Sequence, residues 1–196
     1  MSSKKVNVHK LTDFLSNYTN VEQEEIDVLE RMVDYRTFQK KEIVHQQGEV
    51  QKYLGFVLKG AIRFYHTDVA GNEDTFEFVF ENLPIGQYNT LLSQEVALAS
   101  AQAMEPTELI IISKDEFLGF MSRFPKYYPV IAEVMGNALM TSIARTKLSK
   151  IASARERYEE FCKQHAQNYQ RIPLTYVASY LNMTLSTLSR VRAGKL

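Results

Sequence analysis

A single cysteine, Cys162, serves the whole chain, which excludes an internal disulfide and any zinc or iron–sulfur site built from cysteine clusters. We read it as a half-buried helix residue. No apolar run approaches the length of a membrane span, and the N-terminal MSSKKVNVHK lacks the apolar core of a signal peptide. A cytoplasmic protein without membrane contact is therefore expected. A glycine-rich phosphate loop, a helix-borne metal pair and a nucleophile elbow are all missing, so no enzyme is expected. Glu73, Asp74 and Glu77 read as solvated charge of a hairpin. His45 and His66 stand alone in strand-like context and read as packing residues, with no metal, haem or iron–sulfur cluster expected. What the chain does have is 45% hydrophobic and 11% aromatic content over 196 residues, enough to bury real cores in two small domains or one large one.

Net charge is zero, but the charges are segregated. Residues 1–140 hold 13 Lys+Arg against 20 Asp+Glu, a net −7, and residues 141–196 hold 10 against 3, a net +7. From Asn182 onward Arg190, Arg192 and Lys195 occur without any acid. A basic end of this kind suits phosphates, whose neutralisation releases counterions; a merely solvated basic helix is the alternative.

The stretch Ile172–Leu196 predicts two short helices joined by a tight turn. Val177, Ala178 and Leu181 face inward on the first, Leu188 and Val191 on the second, with Met183 at the bend. Ala178 is small where the helices cross, Asn182 tolerates the left-handed turn position, and Thr184 can cap the second helix. This is the helix-turn-helix pattern, in which the second helix enters a DNA major groove. Leu185, Ser186, Ser189 and Arg190 would point outward. An ordinary helical hairpin packed on another element is the competing interpretation.

Upstream, Val8–Tyr18 and Val21–Met32 carry helical periodicity, the second with Ile26, Leu29 and Val33. From Tyr35 to about Ser113, short strands alternate with Gly- and Pro-containing turns, which argues an antiparallel sandwich or barrel. In Thr75–Phe80 we expect Phe76, Phe78 and Phe80 to point inward, filling a core rather than lining a ligand cavity. Leu98–Met104 and Leu109–Ile112 are the last expected strands. A short helix at Lys114–Phe120 precedes Pro125 and Pro129. A long helix then runs to about Ile151, with Ile131, Val134, Met135, Ala138, Leu139 and Ile143 in one apolar stripe and Ser142 among its small residues. That stripe could be buried within one protomer; we expect it to join two, because helix-turn-helix modules commonly read paired half-sites. Arg155–Gln167 reads as one more helix.

Gly48-Glu49, the Gly60 turn, the Asp68…Gly71…Glu73 loop, Leu83-Pro84-Ile85-Gly86 and Thr187-Leu188-Ser189-Arg190 together resemble the CRP/FNR superfamily of bacterial transcription regulators. The resemblance covers nearly the whole chain. It implies an α+β protein with an N-terminal antiparallel β-roll of the cyclic-nucleotide-binding type with its helices at 1–124, a dimerisation helix at 125–151, and a helix-turn-helix domain at 152–196. It implies a homodimer that binds double-stranded DNA, with RNA polymerase and a small-molecule effector as further partners. The family's nucleotide site holds ribose with a Gly-Glu pair and the cyclic phosphate with an Arg-Ser/Thr pair. Here Gly86 is present, Gln87 replaces the carboxylate, and the phosphate position falls near Ala97-Leu98, with no basic residue from Glu73 to Ser113. Cyclic nucleotide is therefore disfavoured, and the effector is unknown. By position, Ser186, Ser189 and Arg190 become base readers, while Thr184, Thr187, Arg192 and Lys195 suit the phosphate backbone. The sequence ends at Leu196, so the family's β-wing is expected to be minimal or absent. A sensor whose helix-turn-helix no longer reads DNA is the second interpretation.

Overall fold

The structure is a computed structural model that describes residues 8–87, 90, 95–151 and 153–195. Among the described residues two helices, α1 (His9–Ser16) and α2 (Gln23–Met32), lead into a sandwich of eight strands. These are β1 (Val33–Phe38), β2 (Ile43–His45), β3 (Tyr53–Lys59), β4 (Ile62–Thr67), β5 (Glu73–Val79), β6 (Pro84–Ile85), β7 (Ser100–Ala103) and β8 (Thr107–Ser113). Then come α3 (Lys114–Arg123), a 3-10 turn at Pro125–Tyr127, the long α4 (Tyr128–Ile151), α5 (Ala154–Gln164), α6 (Leu174–Tyr180) and α7 (Leu185–Arg192). None of the described helices is long and apolar enough to cross a membrane.

One sheet has the order β1-β8-β3-β6 and the other β2-β7-β4-β5, with all pairs antiparallel. Between them Phe38, Val57, Ile62, Phe64, Leu109 and Ile111 form the roll's core. The turn from β3 to β4 depends on Gly60, whose φ of 95° favours glycine and whose absent side chain leaves room for the Pro106 carbonyl, 2.7 Å from where a Cβ would sit.

Val33 departs from the helical stripe expected for it. Glu22 and Glu25 form the capping box that starts α2, but the helix stops at Met32 and Val33 takes extended angles as the first residue of β1. It is buried there with Phe56 and Ile110, a long-range packing that outweighs the local period. β7 is likewise shorter than the expected Leu98–Met104.

The alternation expected along β5 also fails, for an identifiable reason. Phe64 pairs with Glu77 but Tyr65 pairs with Thr75, so one extra residue bulges from β5. A bulge of one residue moves every later side chain to the opposite face. Phe76 consequently packs into the roll, whereas Phe78 and Phe80 point out of it. Outside, those two rings join Phe161, Ile172, Val177, Tyr180 and Leu188 from the C-terminal helices in one buried cluster. The roll and the helix-turn-helix therefore share a core.

Polar contacts reinforce that junction. Arg171 makes a two-pronged pair with Glu81, at 2.9 and 2.7 Å, and also bonds Glu105. This pairing holds the Glu81 carboxyl down to about 2. The buried Arg63 guanidinium lies between the Tyr65 and Tyr176 rings, 4.1 and 3.8 Å from their centres, and pairs with Glu73. Ser179 on α6 accepts from the Thr75 amide at 2.8 Å and donates to the Glu73 carbonyl at 3.0 Å.

The expected stripe on α4 divides. Ile131 packs with the helical cluster of Leu29, Phe120, Tyr127 and Val130, and Val134 lines an apolar cavity beside the same helices. These two residues, expected in the seam between protomers, thus pack within their own chain. Met135, Ala138, Leu139, Ser142 and Ile143 are all exposed. Met135, Leu139 and Ile143 recur every fourth residue on one face, with 45%, 61% and 52% of their surface open.

Candidate nucleic-acid interface and the polar site of the roll

The second helix of the C-terminal pair, α7, is anchored by Leu188, buried with Phe161 of α5 and Val177 of α6, and by the buried Val191. Its geometry follows from local chemistry. Asn182 has φ of 50° in the turn, and Thr184 caps the helix by accepting from the Thr187 amide at 3.1 Å. The Thr184 hydroxyl also lies 2.9 Å from those of Ser186 and Thr187, so three hydroxyls cluster at the helix start. At the other end Gly194, with φ of 67°, closes a Schellman motif in which the Lys195 amide donates to the Arg190 carbonyl at 2.9 Å. Sequence reading missed this stop signal, although a glycine just past a helix is its ordinary mark.

With Leu188 and Val191 turned inward, Leu185, Ser186, Ser189 and Arg190 are exposed together, as expected, and Thr187 is half-buried. Arg192 and Lys195 are exposed as well. Against this basic surface stands one acidic element. Glu73 and Asp74 at the start of β5 line a cleft together with Ser179, Asn182, Thr184 and Leu185. A phosphate approaching Thr184 from that cleft would meet charge of its own sign. Glu77, read as solvated, is instead half-buried, and burial raises its carboxyl pKa.

The second site lies in the roll where β6 ends and the chain returns to β7. Gly86 fits because a Cβ there would collide with the Leu54 side chain. The following Gln87 amide donates to Gln51 Oε1 at 2.9 Å, and Gln51 Nε2 donates to the Tyr53 carbonyl at 2.7 Å. The Gln87 carboxamide makes four further contacts. Its Oε1 accepts from the Leu98 amide at 2.8 Å and the Ala99 amide at 3.2 Å. Its Nε2 donates to the Ala99 carbonyl at 2.6 Å and lies 2.8 Å from His45 Nε2. The two amides donating to Oε1 fix which end of the carboxamide is oxygen, so the facing ring nitrogen of His45 is the acceptor. Burial keeps that imidazole neutral, lowering its pKa to about 4 against a smaller opposing pull from the Ala99 carbonyl.

The contacts of the Gln87 carboxamide centre on Leu98-Ala99, which overlaps the expected Ala97-Leu98 at Leu98. The Ala97 amide and carbonyl are committed elsewhere, to Glu49 and Gly48, each at 2.8 Å. His45 belongs to this site and is not mere packing, which no sequence signal indicated because its partner is 42 residues away. His66 stacks on Phe76 at 4.6 Å and bonds the Leu98 carbonyl at 2.8 Å. Among the described residues no group of three or more His, Cys, Asp or Glu could hold a metal ion.

Comparison with known proteins agrees with this architecture. Residues 35–124 match the cyclic nucleotide-binding domain family. The chain is 25% identical over 134 residues to the cyclic AMP receptor protein of Thermus thermophilus, covering 68% of this chain and 62% of that protein, less than two thirds of its length. It is 22% identical over 181 residues to the regulatory protein HlyX of Actinobacillus pleuropneumoniae, covering 86% of this chain and 75% of that one. Among solved structures, FixK2 from Bradyrhizobium japonicum superposes with a TM-score of 0.74 at 17% identity, over 83% of each chain.

Proposed function

We propose that this chain is a CRP/FNR-type regulator of transcription, cytoplasmic and homodimeric, that reads DNA sequence through α7, a reading supported by the match of residues 35–124 to the cyclic nucleotide-binding domain family and by the likeness in fold to FixK2. The observation that carries this reading is the division of α7. Leu188 and Val191 are buried behind it, while Ser186, Ser189 and Arg190 are exposed on the opposite side. Arg190 would bond guanine O6 and N7 together, and the serines would reach neighbouring base edges. Thr187, Arg192 and Lys195 would meet the phosphate backbone, with Thr184 doing so only where the Glu73 and Asp74 carboxylates are screened. Met135, Leu139 and Ile143 on α4 would pair with the same residues of a second copy, because an exposed apolar stripe on a long helix favours burial against its twin.

A second reading, a sensor whose helix-turn-helix does not read DNA, is supported by the acidic cleft beside Thr184 and by the zero net charge. Selection of bound duplexes from a random pool, followed by a salt titration, separates the two. The proposal expects two related half-sites about one helical turn apart and log affinity falling steeply with log salt. No enriched sequence and a flat salt response would overturn it in favour of the sensor.

A further inference from the structure

We infer that Gln87 acts as a built-in ligand, filling the place where a cyclic nucleotide would have to bind, so that the roll does not take cyclic nucleotides. This rests on the regulator reading only for its consequence, since the closure is a property of the roll itself. The argument is one of matched polarity. The site presents two backbone N–H groups, of Leu98 and Ala99, beside a carbonyl of Ala99 and a bare imidazole nitrogen of His45. A carboxamide carries one acceptor and one doubly donating nitrogen in a fixed plane, and Gln87 satisfies all four groups at once.

A cyclic phosphodiester is an acceptor only. It could replace Oε1 at the two amides, but it would leave the Ala99 carbonyl facing negative charge without a donor, and the His45 nitrogen could meet it only by taking up a proton that burial opposes. No Lys, Arg or His occurs between Glu73 and Ser113, and the adjoining Lys114 ammonium donates to the Thr90 carbonyl at 2.8 Å. Arg63, the buried guanidinium of β4, is engaged by Glu73, Gln102 and Thr75 and stacks between Tyr65 and Tyr176. The residues present therefore do not fit the group that the matching family is named for. A competitor able to displace Gln87 would carry a primary carboxamide, with a carbonyl to accept and an NH2 to donate.

The test uses the full-length chain in three arms. Equilibrium dialysis with cyclic AMP and cyclic GMP should give no binding up to millimolar concentration; saturable binding at micromolar concentration would overturn the proposal. NMR titration of the His45 ring should show it neutral through pH 6 in the wild type, and a ring that titrates like a free imidazole would also overturn it. In Gln87→Glu, which keeps the shape but replaces the donor with a carboxylate, the His45 midpoint should rise by on the order of one pH unit or more. An unchanged midpoint in a folded Gln87→Glu protein would mean that the carboxamide does not face the ring. None of the three arms uses DNA, so failure of DNA binding and failure of the closure are told apart.

Discussion

The α7 helix and the roll's polar site use the same kinds of group to opposite effect. On α7 the serine hydroxyls and the Arg190 guanidinium project from a helix whose packing is complete on its other side. In the roll, the amides of Leu98 and Ala99, the Ala99 carbonyl and the His45 nitrogen all find partners in one glutamine side chain. Exposed polar groups cost little while water bonds them, so a surface can keep them open to a partner. Buried polar groups must be satisfied continuously, so a site inside a protein either holds a ligand or supplies its own. The comparison sets open polar groups at the helix end of the molecule against satisfied ones in the roll.

The sharpest way to break the comparison is to remove the proposed pairing of two chains along α4. Replacing Leu139 and Ile143 together by Glu should give a monomer in sedimentation, and binding to a two-half-site duplex should weaken on the order of 100-fold or more as bivalency is lost. Unchanged mass would place the seam elsewhere. Next in size, Phe78→Ala should destabilise by about 3–5 kcal/mol in chemical denaturation, because this ring lies 5.3 Å from Tyr180 and 6.2 Å from Phe161 in the core shared by both regions. Two separate unfolding transitions in that variant would show that the ring couples the roll to α6. Arg190→Ala should cost about 1–3 kcal/mol at the selected site while sparing stability, measured by gel shift beside thermal unfolding. Equal affinity would remove Arg190 from base reading.

The smallest effect sharpens the roll side. The folded pKa of His45, about 4, lies below the ordinary 6.5. Between those values the unfolded chain holds a proton that the folded chain lacks, so stability rises with pH there. The contribution is fully present above about pH 6.5 and is lost as the pH falls toward 4. His165, half-buried among Phe78, Phe161 and Tyr180 with its pKa lowered by burial, acts in the same direction. His45→Gln should flatten part of this slope in unfolding curves recorded across that range; an unaltered slope would assign it to other groups.

Much of the C-terminal unit is legible from residues alone. Asn182 in the left-handed turn, Thr184 at the cap and the inward set of Val177, Ala178, Leu181, Leu188 and Val191 are local signals that act within a few residues. The order of strands and turns is legible for the same reason. The failures are all long-range. Val33 continues a helical stripe yet starts a strand, because its burial partners lie on β3 and β8. Phe78 and Phe80 alternate as roll core, but a bulge opposite Phe64 and Tyr65 sends them to the other side. Ile131 and Val134 match the rest of the α4 stripe in chemistry, and only the neighbouring helices decide that they pack at home.

From sequence alone came the presence of a helix-turn-helix, its outward residues, the segregation of charge, and the lack of a cation where a cyclic phosphate would sit. These depend on residue type and short spacing, which a linear pattern carries in full. The tertiary structure alone decided that Gln87 closes onto Leu98, Ala99 and His45, and that Arg171 and Ser179 join the C-terminal unit to the roll. Those partners are between 11 and 106 residues apart, and only the folded chain brings their donors and acceptors within bonding distance.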